Sequence, residues 1–353
     1  MAIKSAVVGC GRMGAHTSKY TRQQSPSCWL PLSHAESITC HHAFDLISAC
    51  DQDPALLRKT QKKYSIHNTF LDFDELIESD FDFLSIATRT PGRAGMISKA
   101  IDHNKKIIHT EKPLCNSVEE LENLTKILSP KDILVTYGAI RRHFMTYVEA
   151  KKIIDSNIFG PLQSINIHLG RGGLFWAHPH SIDIALFFRS PKSSPVSVFA
   201  KFEQIEREQE TVFNDPILLS GHVLFDNGVI ANISQQKDFS VVLSCENGEV
   251  VVSHDGNGLH QRGNNQDDPY MQDLQDIPVI EGKYQGTYKA LDFIYQGIHS
   301  QSFDALHELK NDILTNQKIL FLMAQSGIEC KEISMHTDQD NLKIKALTSG
   351  NPA

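Results

Sequence analysis

IKSAVVGCGRMG, Ile3 to Gly14, is the stretch on which the reading of the fold turns. A short apolar run ends in Gly9, and glycines recur at positions 11 and 14. The spacing carries weight only in context. Here it follows a strand-like run and precedes AHTSKY, which is compatible with a helix. In such a setting Gly9 permits a tight turn, Gly11 lets the backbone approach a pyrophosphate, and Gly14 lets helix pack closely on strand. The phosphates are expected at the helix N-terminus, where amides are free and the helix dipole is positive. The competing reading is a glycine turn that binds nothing.

Outward from this motif, short apolar runs alternate with helical ones. FDLISACD (44–51), FDFLSIAT (81–88), KKIIHT (105–110) and DILVTYG (132–138) read as strands. PALLRKTQKKYSI (54–66), AGMISKAIDHN (94–104) and VEELENLTKIL (118–128) read as helices, with Pro54 suited to a first turn and Ser117-x-x-Glu120 forming a capping box. This alternation predicts a parallel sheet covered on both faces. After about residue 137 strands dominate. Asp226-Asn227-Gly228 and Asn247-Gly248 are hairpin signals, because Asn and Gly tolerate positive φ. The fold class is therefore an α/β dinucleotide-binding domain (1–136), then an α+β domain with a large, mostly antiparallel sheet (137–335). A polar, loosely ordered tail (336–353) is expected to follow.

With 353 residues the chain is long enough for two domains. It is 41% apolar and 22% charged, with a net charge of −8 and no basic block, which argues against nucleic acid or an anionic membrane as partner. No apolar run approaches the ~20 residues of a membrane span, and no signal-peptide pattern opens the sequence. Seven cysteines without a CxxC pair read as reduced thiols. Together these features predict a cytoplasmic protein.

The ribose-binding acid of a dinucleotide site should end the second strand, and Asp51 stands there. An acid accepts a bond from the ribose 2′-hydroxyl and repels a 2′-phosphate, which favours NAD over NADP. Arg12 leaves NADP possible, and the alternative for Asp51 is a helix cap. Asp51 lies farther from Gly14 than the usual ~20 residues. RQQSPSCWLPLS (22–33) accounts for the excess and reads as an inserted loop near the cofactor mouth.

Ligands of an open parallel sheet bind beyond the C-terminal strand ends. Glu111-Lys112-Pro113 follows KKIIHT at such an end. Lys112 is suited to hold a substrate hydroxyl or relay a proton, Glu111 to tune the lysine or hold the loop, and Pro113 to fix the backbone. Taken alone, without its context, Lys112 reads first as a solvated loop lysine.

The glycine motif, Asp51, Ser85-Ile86-Ala87-Thr88 and Glu111-Lys112-Pro113-Leu114 together resemble the Gfo/Idh/MocA oxidoreductases, over roughly residues 1–334. The resemblance implies a Rossmann domain followed by an α/β domain with an antiparallel sheet. It also implies NAD(P)-dependent oxidation or reduction of a carbinol on a sugar, nucleotide sugar or inositol. Gly9, Gly11, Arg12, Met13, Gly14, Asp51, Ala87, Thr88, Glu111 and Lys112 are then the expected cofactor-binding residues, and Lys112 is also catalytic. GRGGLFWAHPHSIDIALFF (170–188) resembles the family's histidine segment, which makes His180 the general base and Asp183 its orienting or substrate-binding partner. An imidazole suits that task because its pKa lies near working pH.

Two departures from the family pattern stand out. Trp176 occupies the position of the family's aspartate, and His178 is a candidate for part of its role. RTPGRAGM (89–96) replaces the usual Asn-x-x-His, so Arg89 or Arg93 is a candidate for a substrate phosphate or carboxylate. Arg141 or Arg142 either borders the pocket or forms a salt bridge. His178, His180 and Asp183 also allow a metal reading, but the family chemistry needs none, and no metal is expected. A homo-oligomer (dimer or tetramer) and a carbohydrate or cyclitol substrate are implied as well. Two rivals remain, a redox-neutral NAD-using lyase of the same fold and a sugar-sensing regulator without turnover.

Overall fold

The computed structural model of the chain describes residues 2–190, 193–265, 268–271, 273–280, 282 and 284–345. The chain divides into two compact units. The first comprises residues up to Ile140 together with Tyr284–Thr315, and the second comprises Arg141–Lys283 and Asn316–Ala346.

The first unit is built on six parallel strands: β1 (Ile3–Val8), β2 (Phe44–Cys50), β3 (Asn68–Phe70), β4 (Phe83–Ile86), β5 (Ile107–Thr110) and β6 (Leu134–Tyr137). Their order is β3-β2-β1-β4-β5-β6, the doubly wound arrangement with its switch point between β1 and β4. Every residue of β4 and β6 is buried, as expected of strands covered on both faces.

The helix expected directly after the glycines does not form there. Residues 11–15 make a turn, with the Ala15 and His16 amides on the Gly11 carbonyl. The short α1 (Lys19–Gln24) buries no residue. The crossover helix is instead α2 (His34–Cys40), whose His34 and Ala35 amides bond back to the Met13 and Gly14 carbonyls at 2.8 Å each. The chain leaves the crossover after Ala15 and rejoins it at His34, which explains the long spacing to Asp51. The inserted segment is anchored at its far end by the Gln285 amide on the Leu30 carbonyl.

α3 (Pro54–Tyr64) is capped by Asp53, which accepts from the Ala55 and Leu56 amides. α4 (Phe73–Ile77), α5 (Arg93–Asp102) and α6 (Val118–Ile127) follow. The Ser117 hydroxyl accepts from the Glu120 amide, while the Glu120 carboxylate takes the Asn116 amide, a capping box displaced by one residue.

The second unit opens with α7 (Met145–Asp155), β7 (Leu162–Leu169), α8 (Pro179–Phe188) and β8 (Pro195–Phe202). β9 (Arg207–Glu208) and β10 (Thr211–Val212) are short. β11 (Leu218–Phe225), β12 (Ile230–Gln235), β13 (Ser240–Cys245), β14 (Gly248–Ser253), β15 (Gly258–Asn265), β16 (Asp268–Met271) and β17 (Gln275–Asp276) complete the run. The main sheet runs β16-β15-β14-β13-β7-β12-β11-β8 and ends on β18 (Ile333–Ser334), with β17 paired to β15. Among the described residues of this sheet, only β7 and β12 pair in parallel. Turns at Asn227-Gly228 and Asn247-Gly248 join the two expected hairpins. On one face Ile165, Ile167, Ala231, Ile233, Val241 and Leu243 are buried. On the other, half-buried Ser164, Asn166 and Asn232 form a hydrogen-bonded row.

Two expectations change. α9 (Gly286–Ser300) belongs to the first unit rather than the second, because Leu291 and Ile294 share a core with Ala35, Ile38 and Phe44. α10 (Asp304–Glu329) begins in the first unit and ends in the second. The stretch read as a loose tail forms β19 (Lys343–Ile344), parallel to β10, with Leu342 and Ile344 buried. Positions 346–353 of that tail lie outside the described residues.

Candidate active site

The glycine turn follows from its sterics. Gly9 has φ +84°, and a Cβ on it would meet the Ala87 carbonyl carbon at 2.8 Å. A Cβ on Gly14 would fall 1.7 Å from the Gly9 carbonyl oxygen, so a side chain at either position is excluded by backbone. Gly11 differs, since a Cβ there would meet nothing within 4 Å. The Arg12 and Met13 side chains are exposed on the same turn.

Asp51 follows β2. Its Oδ2 accepts the Cys10 amide at 2.6 Å and its Oδ1 accepts the Asp53 amide at 2.9 Å, which fixes the carboxylate beside the turn. The helix cap is Asp53, not Asp51. A cavity of about 470 Å³ opens here, lined by Gly9, Gly11, Asp51, Ala87 and Thr88, with Leu56 and Met96 as apolar walls. Open space over Gly11, a fixed acid at the second strand end and apolar walls fit a dinucleotide. The phosphates, however, have no long helix at this turn to face.

Glu111 and Lys112 leave the end of β5. Glu111 is buried, and Oε1 lies 3.1 Å from His34 Nε2. Burial pushes its carboxyl up, but the hydrogen bond from His34 and the charges on His34, Lys112 and Arg93 outweigh burial and hold it at about 2. The carboxylate lies against Gly138, where a Cβ would come within 2.8 Å of Oε2. Lys112 is half-buried, its amide 3.3 Å from Glu111 Oε2, and its peptide bond to Pro113 is cis. Arg93 does not face a ligand. It is 2% exposed and donates to the Pro113 and Thr88 carbonyls, tying this loop to the end of β4.

In the second unit, Asp215 accepts the Phe175 and Trp176 amides at 2.9 Å each and so holds the turn that leads into α8. The Trp176 side chain is 54% exposed. His180 sits half-buried in the first turn of α8. Asp183 is buried on α8 and forms a two-pronged ion pair with Arg142, at 3.0 Å (Nε to Oδ2) and 2.8 Å (Nη2 to Oδ1). Of the two readings of Arg142, the salt bridge holds. Both residues are engaged with each other inside the unit. Arg141 pairs in the same way with Asp255. His178 is also turned inward, 1% exposed, with Nδ1 3.2 Å from the Ser181 hydroxyl. Burial lowers its pKa to about 4, so it stays neutral and packed.

The inward His178 predicts a pH dependence of stability. Unfolded, it takes up a proton below about pH 6.5, whereas folded it resists one until about 4. Stability is therefore lost as pH falls through that window. His178→Asn is expected to flatten the loss by up to about 1.4 kcal/mol per pH unit. Denaturant titrations at pH 7, 6 and 5 measure this, and equal slopes in both proteins would contradict the inward assignment.

Residues 3–139 match the model of the oxidoreductase family with an NAD-binding Rossmann fold, GFO_IDH_MocA. The Rossmann unit belongs to the Gfo/Idh/MocA family. The Bacillus subtilis scyllo-inositol 2-dehydrogenase (NAD(+)) is 27% identical over 161 residues, 45% of this chain. The curated relatives are matched over less than two thirds of their length, 42% and 61%. An NAD-binding oxidoreductase from Klebsiella pneumoniae superposes with a TM-score of 0.73 at 16% identity, covering 96% of this chain and 100% of that one. A 3-ketoreductase from Actinomadura kijaniata, solved with NADP, gives 0.66 at 14% identity, covering 92% and 98%. The likeness in fold thus extends through the second unit.

Within this Gfo/Idh/MocA frame, His34 is the residue that sequence reasoning missed. It lies 77 positions from Glu111, and a lone histidine after a proline-rich loop gives no signal. Only its placement at the start of the rejoined α2 brings it under the Glu111-Lys112 loop. No helix among the described residues is long and apolar enough to cross a membrane.

Proposed function

We propose that the protein is an NAD-dependent oxidoreductase acting on a carbinol of a sugar, nucleotide sugar or inositol-like substrate. The observation that carries this reading is Lys112, which leaves β5 beside an ionised, anchored Glu111 on the unit that bears the glycine turn and Asp51. Gly9, Gly11, Asp51, Ala87 and Thr88 would hold the dinucleotide, and the fixed Asp51 carboxylate favours an unphosphorylated ribose. A dinucleotide held there would supply the hydride acceptor for oxidation and the hydride donor for reduction. Lys112 Nζ holds the oxygen of the reacting hydroxyl. A His180 ring nitrogen takes the hydroxyl proton during oxidation and gives it back during reduction. The scyllo-inositol dehydrogenase relative supports the substrate class, and Trp176 stands where the family has an aspartate.

The test is nicotinamide absorbance with purified protein and NAD over inositols, free sugars and UDP-, GDP- and CMP-sugars. NADH is expected to accumulate with one class and to fail to do so in Lys112→Ala and His180→Ala. Silence across the panel, with NAD binding confirmed by calorimetry, would favour the redox-neutral or sensing alternatives.

A further inference from the structure

We infer that His34 is a positioning residue for the Glu111-Lys112 loop, linking that loop to the glycine turn. This rests on the reading of Lys112 as catalytic. The ring is 0% exposed. Nε2 lies 3.1 Å from Glu111 Oε1, and Nδ1 lies 2.8 Å from the Ser85 hydroxyl on β4. An ionised carboxylate only accepts, so Nε2–H donates to Glu111, while Nδ1 shares a hydrogen bond with the Ser85 hydroxyl. Both ring nitrogens thereby have a partner. The His109 ring packs against it edge to face, with the ring centroids 4.8 Å apart. The backbone of the same residue is fixed as well, since its amide donates to the Met13 carbonyl at 2.8 Å. One residue thus joins the turn expected to carry phosphates to the carboxylate beside Lys112.

The opposite side of Glu111 is closed by Gly138. The carboxylate therefore has one well-defined place, between His34 and Gly138, and the Lys112 amide lies against its other oxygen. Without the His34 donor, Glu111 is a carboxylate short of one partner and is no longer held in its place beside Lys112. Lys112 then loses its neighbouring negative charge.

The test uses the full chain with His34→Ala and His34→Gln, since a glutamine amide nitrogen can reach the place of Nε2. The deciding readout needs no turnover: the acetylation rate of Lys112 at pH 8 by acetic anhydride, followed by peptide mass spectrometry. Loss of an adjacent carboxylate frees more amine, so His34→Ala is expected to label roughly three- to tenfold faster. His34→Gln is expected to label like the parent. Where a substrate is known, His34→Ala should also lower kcat by roughly 30-fold, with KM little changed, because a misplaced group costs turnover rather than binding. Should His34→Ala not fold, Ser85→Ala, which removes the Nδ1 partner alone, replaces it and should label faster than the parent. Unchanged or slower labelling in the folded variant overturns the inference, whatever the activity. Faster labelling restored by glutamine supports it even if the substrate panel stays silent.

Discussion

Lys112→Ala is expected to lower kcat by about 10³-fold, within the range by which a positioned proton-handling group accelerates a reaction. The substitution is informative because it should do little else. Lys112 is half-buried at a loop, whereas the deep contacts of that loop belong to its neighbours. Glu111 keeps His34, and Arg93 keeps the Pro113 and Thr88 carbonyls. The melting temperature should therefore move by only about 1 °C, as for substitutions away from core and caps. NAD affinity, measured by calorimetry, should stay within about threefold, because the residues around the cavity at the glycine turn are untouched. Lys112→Arg should not rescue turnover. It restores the charge, but a planar fork does not present a donor where an ammonium does. A kcat within tenfold of the parent, in a protein that still binds NAD, would remove Lys112 from the chemistry and with it the main support for the oxidoreductase reading.

What the sequence revealed and what it hid follow from the range of the interactions. The β1 turn, Asp51 and the Glu111-Lys112-Pro113 loop were legible because each is a local pattern at a strand end. The alternation of buried strands and helices was legible for the same reason. The split crossover was not, because the hydrogen bonds that splice it, His34 and Ala35 back to Met13 and Gly14, skip the whole inserted segment. The return of α9 to the first unit was hidden too, since its core partners Ala35, Ile38 and Phe44 lie some 250 positions earlier, and an amphipathic helix does not name its sheet. In the second unit, spacing placed His178, His180 and Asp183 on one segment but not the direction of each side chain. Proximity in sequence suggested three substrate contacts. Burial turns His178 inward, and Arg142, 41 positions away, occupies Asp183. His180 lies half-buried in the first turn of α8, and its proton-transfer role belongs to the proposal. Trp176 is exposed, and nothing in the structure explains why tryptophan stands there.

A pair of single-methyl substitutions in the glycine turn should separate folding from cofactor binding. Gly14→Ala is expected to destabilise the first unit by more than about 3 kcal/mol, at the upper end of overpacking costs, and to lower the melting temperature by about 10 °C. Its Cβ would lie 1.7 Å from the Gly9 carbonyl oxygen, and no rotamer relieves a backbone clash. The turn has to open, and the Gly14 carbonyl that receives the Ala35 amide moves with it, so the start of α2 is lost as well. Gly11→Ala should behave in the opposite way. Its Cβ meets nothing within 4 Å and its φ is not left-handed, so the protein should melt like the parent. The methyl group then stands in the space that the pyrophosphate must approach. A clash worth about 1–3 kcal/mol would weaken NAD binding by roughly 10- to 100-fold. Thermal melts and calorimetry on the two variants measure both arms. If Gly11→Ala binds NAD as the parent does, the phosphates do not pass over Gly11, and the cavity beside Asp51 is not where the dinucleotide lies. If Gly14→Ala melts normally, the close packing of the turn is not what holds α2 in place, and the link from this turn through His34 to Glu111 loses its anchor.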